Sequence, residues 1–425
     1  MYTTLYILPN QLFATSILKK QSFKTIVLWE HPHFFTKYKY NKKKLLLHRA
    51  SMKSYFNVLS KEFKDVKYIE FHESHKVNDD SIVYDTITEI SDFKKCTQLE
   101  SPNFFLSKTD FQDIYNNKKG KDSIRFTTYF YPRAKHIINV LVNTNSKDHE
   151  NRKTFKKGEL DVPSLPSIKE SSYISEAQTY VEKHFKSHYG NVNDFHYPIT
   201  HKDAKRWLIS FCEKRFKHFG TYQDAIIEDE PFLFHSVLSS SINIGLLNPS
   251  DVLNEIQKYK SKVEINNYEG FVRQLLWREY QRYCYMFLRN DLQTKMKFNL
   301  SNPITKSWYS GTTGVHPIDV TIQKAFQTGY LHHIERLMII GNFMLLNEIK
   351  PNDGFKWFME FAIDSYEWVM YQNVYDMVFF NTGGKTTHKA YITSSKYVLR
   401  MSDYKKGDWT KIWDDLYTQF RKKYF

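Results

Sequence analysis

Apolar residues open the chain in short runs separated by polar helical patterns. Thr3–Leu8 and Thr25–Trp29 (TIVLW) read as buried strands, and Val66–Phe71 (VKYIEF) as a third. Lys42–Leu59 carries a helical period between the last two. Strand, helix and strand at this spacing predict a parallel, Rossmann-like α/β domain over residues 1–130. From Asn143 to Ser175 the chain turns polar, with Pro163 and Pro166 among many Lys, Asp and Ser residues, so residues 131–175 read as an interdomain linker. Beyond it the pattern is helical almost to the end. Lys202–Lys217 and Tyr268–Leu288 are long, aromatic-rich amphipathic segments. An all-α domain is expected over 176–425.

Composition changes this picture little. The chain has 425 residues, 41% hydrophobic and 25% charged, which suits a globular protein of two or three domains. No apolar run is long enough to span a membrane, and Met1–Asn10 lacks the form of a signal peptide. Cys96, Cys212 and Cys284 lie far apart, with neither metal-type nor disulfide-type spacing, as expected in a reducing cytoplasm. Charge adds more. A net charge of +15 favours polyanions through counterion release, though a Lys- and Asn-rich composition also follows from an AT-rich genome.

The candidate chemistry sits in the helical half. His235-Ser236-Val237-Leu238-Ser239 offers hydroxyls and backbone N–H groups at a helix start, where an anion is favoured. Ser236 and Ser239 are equally suited to plain helix capping. Gln274, Trp277 and Arg278 share one helical face at i, i+3 and i+4, a surface for stacking on a base or for ordinary packing. Arg336 and Asp364 form either a buried pair, necessary if the carboxylate is buried, or an exposed one of small energetic worth. His332-His333 supplies imidazoles, whose ordinary pKa suits proton transfer near neutrality.

Five segments carry a resemblance: FGTYQDAI (Phe219–Ile226), FLFHSVLSSSINIGLLNP (Phe232–Pro249), FVRQLLWREYQRY (Phe271–Tyr283), TGYLHHIERLMIIGNF (Thr328–Phe343) and WFMEFAIDSYEWV (Trp357–Val369). In order and spacing they resemble the photolyase/cryptochrome flavoproteins, and above all the bacterial branch of deoxyribodipyrimidine photolyase-related proteins that repair (6-4) photoproducts. Ser146–Lys153, His196–Ala204 and Gly383–Tyr404 are similar to the same branch. The resemblance implies FAD, with its diphosphate on His235–Ser239 and Tyr222 capping it. It also implies that Gln274, Trp277, Arg278, Tyr280, Asn342 and Tyr366 line the flavin, with Arg336 and Asp364 beside the ring. Met370 stands where relatives often place a polar residue near flavin N5, and Asn373 is the candidate substitute. His333 falls on the catalytic histidine of the (6-4) enzymes, with His332 and Tyr391 as further catalytic candidates. Trp357 and Tyr366 match an electron relay, with Trp308 or Tyr309 as the outer station; simple core aromatics are the rival reading for each.

What the resemblance implies for function is blue-light-driven repair of UV-damaged DNA by a cytoplasmic monomer, with no membrane partner. The lesion is flipped out and takes an electron from reduced FAD, and His333 protonates or hydrogen-bonds the transferred group. A cyclobutane-dimer photolyase and a cryptochrome-like sensor are the alternatives. The chain departs from the branch in one respect. The branch's four-cysteine iron–sulfur cluster cannot be ligated by three cysteines, and its C-terminal Cys-x-x-Cys falls on Lys405 and Asp408. No cluster is expected, and a helix or turn packed by Trp409 and Trp413 takes its place. A ribityl-lumazine antenna is implied at Leu8–Phe13 and Tyr40–Met52, although Lys42–Lys44 also reads as a solvated face.

Overall fold

A computed structural model describes residues 2–118, 123–169 and 171–425. Five parallel strands form the N-terminal sheet: β1 (Tyr2–Ile7), β2 (Phe23–Trp29), β3 (Val66–Ile69), β4 (Ile82–Tyr84) and β5 (Thr97–Leu99). Their order is β3-β2-β1-β4-β5, with Leu5 opposite Ile26 on one side and Ile82 on the other. Strand order reverses between β1 and β4, the place where open α/β sheets form a crevice. There the segment Leu8–Phe13 turns inward. Gln11 donates from Nε2 to the Tyr84 carbonyl at 2.8 Å, and Leu8, Leu12 and Phe13 are buried.

The helix Lys42–Glu62 packs on this sheet. Asn41 caps it by accepting from the Lys43 N–H, and Leu45, Leu46, Ala50, Met52 and Leu59 are buried. Its first turn corrects an expectation. Lys42, Lys43 and Lys44 are not a solvated face; all three are buried. Lys42 pairs with Glu182, Lys43 reaches the Asn193 carbonyl, and Lys44 donates to the Ser365 carbonyl and hydroxyl. The run turns inward because three acceptors of the helical body lie across from it.

The expected boundary at residue 130 falls within a continuous helical stretch, a π-turn Phe126–Phe130 running into the helix Tyr131–Ile137. The helical body then holds Ser172–His184, His201–Lys214, the central Ile265–Thr294, His316–Thr328, Pro351–Phe361 and Asp408–Tyr424. The 30 residues of the central helix run for about 45 Å. Much of its circumference is covered, with Phe271, Leu276, Tyr280, Tyr283 and Cys284 all buried. Trp409 and Trp413 bury the last helix against the body; the Trp413 N–H donates to the Thr393 carbonyl at 3.0 Å. One apolar core runs from the sheet into these helices.

Candidate functional site

Asp364 follows the helix Pro351–Phe361 and is buried. Arg336 grips it with both terminal nitrogens, Nη1 to Oδ1 at 3.0 Å and Nη2 to Oδ2 at 3.1 Å. Ser239 donates its hydroxyl to Oδ2 at 2.6 Å. Burial alone would raise the carboxyl's pKa, but the Arg336 charge and these hydrogen bonds hold it below the ordinary carboxylate value. The pair is therefore the buried alternative. Arg336 is itself fixed by donating from Nε to the Leu331 carbonyl at 2.7 Å.

From Asp364 the network runs on. Asn243 donates from Nδ2 to the Asp364 carbonyl at 2.9 Å and accepts on Oδ1 from Arg278 Nε at 3.0 Å. Arg278 also donates to the Asn103 carbonyl, and its guanidinium lies 4.4 Å from the Phe104 ring centre and 4.9 Å from that of Trp368. Buried polar atoms here find no partner among the described residues, among them Arg278 Nη2, Ser240 Oγ, Ser241 Oγ and His235 Nε2. Unpaired buried polar groups are costly, so a bound molecule carrying polar groups fits here. Val237 takes a left-handed φ of 54°, unusual for a β-branched residue and worth about 1–3 kcal/mol of strain.

The local helix differs from expectation. Ser239–Asn243 is five residues long, and neither Ser236 nor Ser239 caps it, because the Ser239 hydroxyl is turned to Asp364. Tyr222 packs against Phe155 and Phe234 and donates its hydroxyl to Glu159 at 3.1 Å. Gln274, Trp277 and Arg278 stand on the partly open side of the central helix, as their spacing predicts. Tyr280 is a correction. It is wholly buried among Phe126, Phe130 and Tyr283, and its hydroxyl meets the Ile124 and Thr386 carbonyls, so it faces the interior rather than the Arg278 side. Asn342 pairs its amide with Thr393, and Asn373 donates to the Val369 carbonyl. Met370 is buried.

The two histidines part company. His332 lies just before the helical turn that begins at His333, and the two side chains leave the backbone in different directions. His332 is 1% exposed, stacks on His235 with centroids 4.6 Å apart, and sits 3.5 Å from Glu335, which Lys324 also meets at 2.6 Å. Burial drives both His332 and His235 well below the ordinary imidazole pKa. The His333 side chain is 43% exposed and lies 3.3 Å from Asp224, whose other oxygen is 4.0 Å from Arg152. Tyr391 is half-buried; burial raises its pKa while Arg152 and Arg273 pull it back. His333, Asp224, Arg152, Arg273 and Tyr391 thus share one neighbourhood.

Of the remaining aromatic candidates Trp357, Trp308 and Tyr366 are buried and Tyr309 is partly buried. Trp357 donates to the Trp308 carbonyl at 2.6 Å and packs on Phe361, itself 5.5 Å from the Arg336 guanidinium. Tyr309 donates to Glu360 at 2.8 Å. Tyr366 bonds to His48 at 2.9 Å, with Lys44 over its ring. Asp224, Asn243 and His48 were not singled out in the sequence. Asp224 and Asn243 lie within quoted segments, but nothing local marks them.

A family model for deoxyribodipyrimidine photo-lyase-related proteins matches residues 5–93 and 77–197. The (6-4) photolyase of Agrobacterium fabrum is 34% identical over 286 residues, 65% of this chain and 56% of that protein. An uncharacterized protein of Acanthamoeba polyphaga mimivirus is 61% identical over 84 residues, 20% of this chain and 68% of it. Among solved structures, a bacterial class III photolyase from Agrobacterium tumefaciens superposes with a TM-score of 0.61 at 13% identity, covering 97% of this chain and 86% of that one. A Synechocystis cryptochrome gives 0.54 at 13% identity, covering 99% and 88%. The fold is that of photolyases and cryptochromes, and residues 5–197 are similar to the deoxyribodipyrimidine photo-lyase-related family. Its match spans little more than half of the (6-4) photolyase's length.

Proposed function

We propose that this chain is a blue-light-driven DNA photolyase that binds FAD and acts on (6-4) photoproducts. The observation that carries the reading is the buried Arg336–Asp364 pair, tied through Ser239 and Asn243 to Arg278 and ringed by unpartnered polar atoms. His235–Ser239, Tyr222, Asn243, Arg278, Arg336 and Asp364 would hold the cofactor, which when bound supplies light-driven one-electron transfer. Arg336 places a fixed positive charge beside it, balanced by Asp364. His333 holds or moves a proton at Nε2, oriented by Asp224, and is exposed enough to meet a flipped-out base. His332 is sealed from that surface and serves to pack His235. The net charge of +15 supplies DNA affinity independent of sequence.

On this reading the chain carries no iron–sulfur cluster. Its three cysteines are buried at separate places, and elemental analysis should find no stoichiometric iron. The main test is repair of oligonucleotides bearing one defined lesion, with and without blue light. Light-dependent repair of (6-4) products with flavin released on denaturation is expected. Repair of cyclobutane dimers alone would reassign the lesion, light-driven flavin chemistry without repair would indicate a sensor, and a flavin-free folded protein would overturn the reading.

A further inference from the structure

Tyr366 and His48 meet across the boundary between the two lobes, 318 residues apart in sequence, with Oη and Nε2 2.9 Å apart. Both are buried, His48 completely. Burial, with the nearby Asp364 charge, raises the pKa of the phenol, while burial and Lys44 take the imidazole well below its ordinary value. Both rings are therefore neutral at rest. A buried phenol O–H needs an acceptor, and among the described residues Tyr366 has His48 Nε2. The tautomer follows: Nε2 carries the lone pair and Nδ1 the proton. Among the described residues Nδ1 has no hydrogen-bond partner within normal limits, while the Phe34 backbone favours the protonated ring.

Lys44 makes the arrangement more than a packing contact. Its Nζ stands 4.7 Å from the centre of the Tyr366 ring. A phenol that lost an electron while keeping its proton would hold positive charge in a buried site, an expensive state, and more so below about pH 7, where Lys44 is itself charged. Releasing the proton along the hydrogen bond removes the charge from the ring. An oxidised phenol is a far stronger acid than an imidazolium, so even a weakly basic His48 accepts. Weak basicity also lets the proton return when the electron does.

We propose that Tyr366 and His48 form a proton-coupled electron donor, in which His48 takes the phenolic proton as Tyr366 gives up an electron. The proposal rests on the flavin reading, because the oxidant is a photoexcited oxidised flavin. Tyr366 loses one electron to that acceptor; its O–H bond breaks and an N–H bond forms at His48 Nε2. A neutral phenoxyl radical and an imidazolium remain, and reversal restores both.

Two measurements test it, one of them independent of flavin. In protein labelled with ¹⁵N-histidine, NMR should show His48 neutral with its proton on Nδ1, assigned by loss of the signal in His48→Gln and perturbed in Tyr366→Phe. A proton on Nε2 would overturn the proposal whether or not flavin binds. In flavin-loaded protein, illumination should give the EPR signal of a neutral tyrosyl radical. Its formation should slow in deuterated solvent, and should fall by about tenfold or more in His48→Phe and His48→Gln at unchanged flavin content. Tyr366→Phe should remove the signal, and adding His48→Phe should cost nothing further. An undiminished signal in both His48 variants, or no solvent isotope effect, refutes the proton transfer. Absence of flavin would instead strike at the function proposed above, with the tautomer still deciding this point.

Discussion

At His333 the side chain is 43% exposed beside Asp224, whereas its neighbour His332 is 1% exposed and stacked on His235. Replacement by Ala should therefore have different consequences at the two positions. On the proposed function His333→Ala removes the proton donor, so repair per bound flavin should fall about 10²-fold or more while flavin and melting temperature hold. His332→Ala opens a buried gap and should lower stability first. Near-normal repair per flavin in His333→Ala would remove the (6-4) assignment. A second residue-scale test concerns Lys44, whose pKa burial pushes down to about 7. In the unfolded chain that amine titrates near ~10.4. Between these values the unfolded state binds more protons, so this group makes stability rise with pH from about 7 to ~10. Urea unfolding of the native protein and Lys44→Met at pH 6.5 and 9.5, one below that window and one near its top, should show the native protein gaining a few kcal/mol relative to the variant. A difference independent of pH would mean that the amine is not buried as a charge-bearing group. The sequence made His333 readable because a local motif marks it. Lys44 also read as part of a solvated face because its partner Ser365 lies 321 residues away, and no local pattern records such a pairing.

Elements followed the same division. The strands β1, β2 and β3 and the helix Lys42–Glu62 were legible because apolar runs and helical periods are local. The short β4 and β5, three residues each, carry too little pattern to stand out. Ser236 and Ser239 read equally as caps of a helix start, whereas the Ser239 hydroxyl is taken by tertiary contact with Asp364. The segment Glu335–Gly341, which carries Arg336, winds as a π-helix, a form sequence periodicity does not announce. Gly341 shows why this segment packs so closely. A Cβ there would lie 2.7 Å from Val378 Cγ2 and 2.9 Å from the Arg336 carbonyl oxygen. Gly341→Ala must move backbone as well as side chain, so it should cost about 1–3 kcal/mol and shift Arg336. Chemical denaturation and flavin content report the two effects; an unchanged denaturation midpoint would show that the helix can yield without strain.

For the whole molecule, the question is whether the sheet and the helical body behave as one unit. A single apolar core extends through both. Polar contacts cross between them as well: Leu12 N–H to the Ile244 carbonyl at 2.9 Å, Asn103 to the Ile242 carbonyl at 2.6 Å, and Arg282 to Asp85 at 2.8 Å. Arg282 sits on the central helix, wholly buried, with its guanidinium 4.2 Å from the Phe104 ring centre. Its removal leaves Asp85 facing Lys108 alone, 3.1 Å away. Breaking a buried pair from one side is strongly destabilising, and with Lys108 still present a cost of about 3 kcal/mol is expected for Arg282→Met. The form of the loss matters more than its size. If the core is shared, far-UV and near-UV melts should coincide in the native protein and move down together in Arg282→Met. A variant whose sheet and helices melt separately would show that the lobes are only docked. In that case Lys44 and His48 would not be held rigidly against Ser365 and Tyr366, and the contacts that place the α/β lobe beside the flavin-side residues would be transient.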